Sequence, residues 1–281
     1  PKDQCTEEGV AGELDYCDLL NKVLPRQIRA VCWMPLVTST FSARFDCEGR
    51  GYKYFFPRGN LDVELMRTAC QDFVGTYDFR NFCKMDVGHG VLNYIRRINH
   101  VEINLVQKNE FDEFDMFCID INGSAFLWHM IRSMMSILFI IGEKKEAPSI
   151  IKDLLDIEKY PNKPQYYLAH EIPLNLFFTK FREDVLGEDD LPINTEMANK
   201  WHFNEESFRK VIINLQEEWC LENVKATMVY EMVKSLQQDY REHFPDQPPI
   251  IRQNHTLSID NKKTNYVNIE KRAVASSLDE R

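Results

Sequence analysis

The segment SAFLWHMIRSMMSILFII, Ser124 to Ile141, admits few folds. Set at helical steps it is apolar on nearly every side. The exceptions form one narrow stripe: His129, Arg132, Ser133 and Ser136. A helix of that kind is stable only inside a core. Its longest nearly unbroken apolar run, MMSILFIIG, is too short to span a bilayer, so no membrane partner is expected. Arg132 then points from a buried helix and cannot discard its charge. It needs a carboxylate or phosphate, and losing such a partner costs about 3–5 kcal/mol. Two readings stand. One is a structural ion pair, with Asp78 or Asp120 as the acid. The other is an arginine that orients a reactive carboxylate and lowers its pKa by roughly 1–3 units. Such a carboxylate stays ionised and acts as a nucleophile.

The rest of the chain supplies a sheet for that helix. IRAVCWMPL and GYKYFF read as strands. YIRRINHVEINLV and FDMFCIDI alternate and pair as antiparallel strands. NLDVELMRTACQDFVG reads as a helix capped by Asn60, with Leu65, Cys70, Phe73 and Val74 inward and Gly75 as its stop. GTYDFRNFCK reads as a loop, APSIIKDLLDI as a short helix, and QYYLA and IPLNLFFTKF as extended. Leu14, Leu19, Leu20 and Val23 fall at roughly helical spacing in a first helix that Pro25 stops. The expected class is α+β: an antiparallel or mixed sheet with helices on one face. Four divisions follow: a loop or linker over 1–13, a body over 14–181, a helical extension over 182–240 and a polar, loose tail over 241–281. Two helices are expected in the extension, near 204–216 and 219–240.

The formal net charge of -10 argues weakly against a nucleic-acid partner, but distribution matters more than the sum. Residues 24–100 carry 11 basic and 7 acidic groups, and form the basic part of an acidic chain. The eight cysteines contain no CxxC pair and read as reduced thiols of an intracellular protein. Neither they nor the seven histidines show zinc-ligand spacing.

That basic part holds RGYKYFF, which superficially matches the stacking strand of an RNA-recognition motif. Lys53 stands where that pattern takes Gly or Ala, and Pro57 ends the strand early. Tyr52, Tyr54 and Phe56 share one strand face with Arg50. The row is either core packing or a stacking surface. An enzyme that modifies a base must first unstack it, and a tyrosine can stack on the extruded base and handle a proton. Tyr52 is the candidate for both roles.

FSARF…RGYKYFF (Phe41–Phe56), GTYDFRNFCK, INGSAFLWHMIRSMM and KPQYYLA…IPLNL follow one another in an order that resembles the tRNA pseudouridine synthases of the TruA type, in the eukaryotic branch acting at positions 38 and 39. The resemblance covers about residues 15–181 and continues in the helical extension. It implies a pseudouridine synthase catalytic-domain fold, of which this chain holds one ferredoxin-like half. It implies a cofactor-free isomerisation in which uracil leaves ribose C1′ and rejoins it through C5. It assigns Tyr52 to the target uridine and Arg132 to the nucleophilic aspartate. Arg44 and Arg50 match basic positions, and Phe126 and Leu127 would wall the pocket. Arg44, Arg50, Arg80 and Lys84 are the candidate tRNA contacts, and a homodimer and a location in nucleus and cytoplasm are expected. Two features depart from the family. Tyr77 replaces the usual His of GTHDF. No GRTDxGV loop, the source of the nucleophilic aspartate, occurs in the 281 residues. With Pro1 rather than Met at its start, the chain is expected to be a C-terminal portion, inactive alone. The alternative is a non-catalytic RNA-binding module on a synthase scaffold.

Overall fold

A computed structural model describes residues 14–26, 28–34, 41–84, 93–181, 201–248, 250 and 265–276. The chain divides into two compact units. One combines residues 1–46 with 182–250; the other combines 47–181 with 251–281.

The second unit is α+β, built on a five-stranded sheet in the order β2-β3-β4-β1-β5. The strands are β1 (Cys47–Pro57), β2 (Gly75–Asp78), β3 (Ile95–Gln107), β4 (Met116–Gly123) and β5 (Leu174–Phe181). Every neighbouring pair is antiparallel. Period-2 alternation sets the two faces. Tyr54, Ile119 and Ile103 align across three strands on one face, and Lys53, Asp120 and Glu102 on the other. The apolar row is buried; Glu102 is exposed. Gly51 is needed where β5 crosses close to β1, since a Cβ there would lie 2.0 Å from the Phe178 ring.

The apolar row packs against the segment that opened the analysis. Helix α3 (Met130–Gly142) is buried along its length apart from Arg132. It starts later than expected: β4 runs through Gly123, Ser124–Leu127 forms no helix, and His129 sits in the left-handed region at φ 60. Helix α2 (Val63–Cys70) is capped by Asp62, whose Oδ1 accepts from the Leu65 N–H at 3.1 Å, rather than by Asn60. Its inner face is Val63, Met66, Ala69 and Cys70; Val74 lies outside the core and Leu65 at its edge. GTYDFRNFCK is not all loop, because its first four residues are β2 and Arg80–Phe82 form a 3-10 turn. Helix α4 (Ile150–Leu155) follows. The expected loose tail is corrected in part. Ile269 is 1% exposed within the core, and Val274 bridges Pro164.

In the first unit, α1 (Tyr16–Val23) is the expected helix; it buries Cys17 and leaves Leu14, Leu19, Leu20 and Val23 exposed. The strand expected at IRAVCWMPL is, among the described residues, a single bridge from Trp33 to His202. One helix, α5 (Glu205–His243), replaces the two expected. Nothing between Glu205 and His243 is a glycine or proline that would end it.

Candidate functional site

β1 delivers the aromatic row into the fold. Tyr54 and Phe56 are wholly buried and meet Phe139 of α3, with ring centroids 6.1 and 5.6 Å apart. For those two the core reading holds. Tyr52 lies beyond them on the same face and is only partly buried. Its ring meets Phe126 edge-on at 5.0 Å and 82°. Arg50 donates from Nη1 to the Ser124 carbonyl at 3.2 Å, and so ties down the loop that carries Phe126 and Leu127. Leu127 itself is buried in the core. Burial raises the Tyr52 phenol above its ordinary value, with Arg50 opposing the rise. The phenol therefore keeps its proton at neutral pH. It can stack and donate a hydrogen bond, but it is not a standing base.

The acid beside Arg132 is neither of the two expected. Asp78 holds Arg80 through both carboxylate oxygens, at 3.1 and 2.7 Å. Asp120 pairs across the strands with Lys53 at 2.7 Å. Arg132 instead donates from Nε to the Ala169 carbonyl at 2.7 Å, and its Nη2 lies 3.0 Å from Glu171 Oε2. The two partners differ in freedom: the Arg132 side chain is 18% exposed and that of Glu171 is 65%. The cation is fixed, and the carboxylate beside it faces water. The Glu171 carboxyl is lowered first by its own backbone N–H and then by Arg132.

The polar stripe of α3 is thus a seam for residues 163–171. Ser136 Oγ donates to the Tyr167 carbonyl. The Ala169 N–H returns a bond to the Arg132 carbonyl at 3.3 Å. Tyr54 donates its hydroxyl to the His170 carbonyl at 2.8 Å, which sets the turn carrying Glu171 against the aromatic row.

Further positive charge gathers at the start of α3. Lys84 rides over the Trp128 ring at 4.3 Å, and its N–H donates to the Trp128 carbonyl. Lys163 donates to the Cys83 carbonyl at 3.0 Å and to Ser133 Oγ at 3.3 Å. His129 has a buried Nδ1 without a hydrogen-bond partner. Its pKa is lowered by burial first, then by Arg132, Lys84 and Lys163. It is neutral at pH 7. Arg132, with Lys84 and Lys163 near the start of α3, gives this end of the helix a positive character that suits an incoming anion.

The structure therefore brings Tyr52, Arg50, Phe126 and Leu127 to one end of β1, and Arg132 and Lys84 to the start of α3. Arg80 is committed to Asp78. Arg44 belongs to the other unit, where its guanidinium lies 5.5 Å from the Phe45 ring. Sequence reasoning missed Glu171, Lys163 and His129. Two of the three lie in KPQYYLA…IPLNL, and a charged residue facing Arg132 was the signal to look for there.

The chain matches a family model described as tRNA pseudouridine synthase over residues 69–182. It is similar to the tRNA pseudouridine(38/39) synthase of Bos taurus, 43% identical over 232 residues, which is 81% of this chain and 45% of that protein. The Saccharomyces cerevisiae protein of the same name is 44% identical over 173 residues, 61% of this chain and 37% of the relative. The tRNA pseudouridine synthase A of Methanothermobacter thermautotrophicus is 29% identical over 239 residues, 85% of this chain and 74% of the relative. The chain spans less than half the length of its curated eukaryotic relatives with the (38/39) name.

Proposed function

We propose, from the premise that this chain belongs to the TruA-type tRNA pseudouridine synthases, that it is one half of an enzyme isomerising uridine to pseudouridine in the anticodon stem-loop, at positions 38 and 39. The observation that carries the reading is Arg132, a fixed guanidinium beside the aromatic strand whose one carboxylate partner among the described residues is exposed to water. In the family chemistry an aspartate is the nucleophile: the N1–C1′ bond breaks, a C5–C1′ bond replaces it, and the proton lost from C5 is balanced by one gained at N1. Sequence outside these 281 residues supplies that aspartate. Arg132 keeps it ionised at neutral pH. Tyr52 stacks on the extruded uracil and donates from its protonated phenol. No step needs a cofactor. Family membership disfavours the alternative of a non-catalytic RNA-binding module.

The test is direct. A protein joining this chain to a segment with a GRTD-type loop converts the target uridines of a tRNA transcript, and the chain alone does not. Full conversion by the 281 residues alone contradicts the division of the site. No conversion by a folded protein carrying both parts contradicts the function. tRNA contacts through Arg50, Lys84, Arg44 and, where Asp78 is displaced, Arg80 make binding salt-sensitive, weakening on the order of a hundredfold between about 50 and 200 mM salt if all four meet phosphates.

For the expected homodimer we propose α5 as the interface. Phe208, Ile212, Leu215 and Trp219 are exposed at spacings of four, three and four. That alternation of four and three matches the a/d spacing of a short coiled-coil seam. A second copy of the same helix is the proposed occupant. Leu215→Glu with Trp219→Glu yields a monomer in sedimentation, while an unchanged mass removes α5 from the interface.

A further inference from the structure

We infer that residues 265–276 form a strap that positions Arg132 through the backbone of residues 163–171. The inference rests on reading Arg132 as a site residue. Arg132 is held by Ala169 and Glu171, so its aim depends on what fixes that stretch. Its C-terminal part is fixed by α3 and by Tyr54. Its N-terminal part is fixed from within by the side chains of Lys163, bonded to Cys83 and Ser133, and Tyr166, bonded to Asn81, and from outside by the strap. The Gln165 N–H donates to the Ala273 carbonyl, and the Ala275 N–H donates to the Lys163 carbonyl, each at 2.8 Å. Between those two bonds Pro164 has no N–H to offer, and it pairs with Val274 as an antiparallel bridge. Arg272 adds a bond from Nη1 to the Gln165 carbonyl at 3.2 Å.

One carboxylate latches the strap in turn. Glu146 Oε1 accepts from the Tyr266 hydroxyl and from the Ile269 N–H, both at 2.7 Å. Arg272 stacks on the Tyr266 ring at 4.9 Å. Ile269 is the strap's anchor in the core. Elsewhere the fit is open: a cavity of about 560 Å³ lies between the strap and residues 163–167. The strap is thus held by a few directional bonds and one buried side chain. A piece held that way can loosen without opening the sheet–helix core. Glu146 is remote in sequence from every residue placed at the candidate site.

The experiment uses the 281-residue chain and the complete synthase in parallel. In the chain, Glu146→Ala speeds hydrogen exchange at the Ala169 N–H and at Arg132 Nε–H, read by ¹⁵N NMR, by about tenfold, a part of what two bonds to a charged acceptor are worth, because the loss reaches those groups only through the strap. In the complete synthase it lowers kcat by a similar factor and leaves KM for tRNA within about twofold. Glu146→Gln restores both, because its amide oxygen accepts the same bonds. Tyr266→Phe, which removes only one bond, gives a smaller shift in the same direction and serves if Glu146→Ala does not fold. Exchange at Ala169 and Arg132 unchanged in the folded variants overturns the strap. Because the exchange readout needs no catalysis, an inactive complete protein would count against the proposed enzyme and not against the strap.

Discussion

Replacing Arg132 by alanine in the complete synthase lowers kcat by about 10²–10³-fold or more, the scale seen when a preorganised charge partner is removed from an active site. The expectation follows from two features. The guanidinium is fixed by the Ala169 carbonyl, so its direction is set before any substrate arrives. Its acidic partner in this chain, Glu171, is largely exposed and can be displaced. Arg132→Lys keeps the charge but loses the fork that reaches a carbonyl and a carboxylate together, and is expected to recover little. Glu171→Gln separates the two readings of the pair. If Glu171 only occupies the arginine until the nucleophilic aspartate takes its place, the glutamine variant keeps kcat. If Arg132–Glu171 is purely structural, the glutamine and alanine variants fail together, with matching losses in unfolding temperature. Turnover by a folded Arg132→Ala enzyme within tenfold of the parent would remove Arg132 from the mechanism.

The same pair shows what could be read from the sequence. The apolar girdle of α3 announced a buried helix and isolated His129, Arg132, Ser133 and Ser136 as its polar stripe; the last three find partners in residues 163–171, while His129 Nδ1 is buried without one. The partners themselves were illegible, because that segment has no regular period and contributes mainly backbone carbonyls, which every residue possesses. The start of α3 was misplaced because Phe126 and Leu127 are as apolar as the helix. Their burial comes from a loop that Arg50 holds, a contact between residues 74 apart. The alternation of β1, β3 and β4 was strong enough to give both the antiparallel pairing and the shared face of Tyr52, Tyr54 and Phe56. What alternation could not show is where along that face burial ends. The boundary falls between Tyr54 and Tyr52, and it separates a core residue from a candidate catalytic one. The strap was invisible for a similar reason: Ile269 is buried while its apolar neighbours Val267 and Val274 are exposed, so the tract shows no period that marks the buried residue.

Lys163→Met is expected to make the chain more stable at pH 7. The Lys163 ammonium is largely buried, lies 4.3 Å from the Tyr166 ring and donates to Cys83 and Ser133. Among the described residues no carboxylate lies within ion-pair distance of it. Burial drives its pKa down from 10.5 to about 8. The unfolded chain therefore keeps this proton up to pH 10.5, while the folded chain releases it above about 8. Between those values the unfolded state binds more protons, so this group makes stability rise with pH. Below pH 8 the folded state carries the full penalty, about 3 kcal/mol for a shift of that size. Methionine fills similar space without the charge. It forfeits two hydrogen bonds worth about 1 kcal/mol each, leaving a net gain of about 1 kcal/mol at pH 7. Tyr52, Tyr54, Tyr166, Cys70, Cys83 and Cys118 have raised values and push the opposite way as pH climbs. The readout is therefore the difference between parent and variant, from urea unfolding at intervals between pH 7 and 10.5. That difference favours methionine at pH 7, shrinks through pH 8–10 and reverses once the parent's amine is neutral. A difference that stays flat across the range would show that Lys163 titrates normally. A cation kept at such a cost, bonded to the residue next to Arg132 and to the residue next to Lys84, belongs to the electrostatics of the site. The variant that gains stability is accordingly expected to lose turnover in the complete synthase.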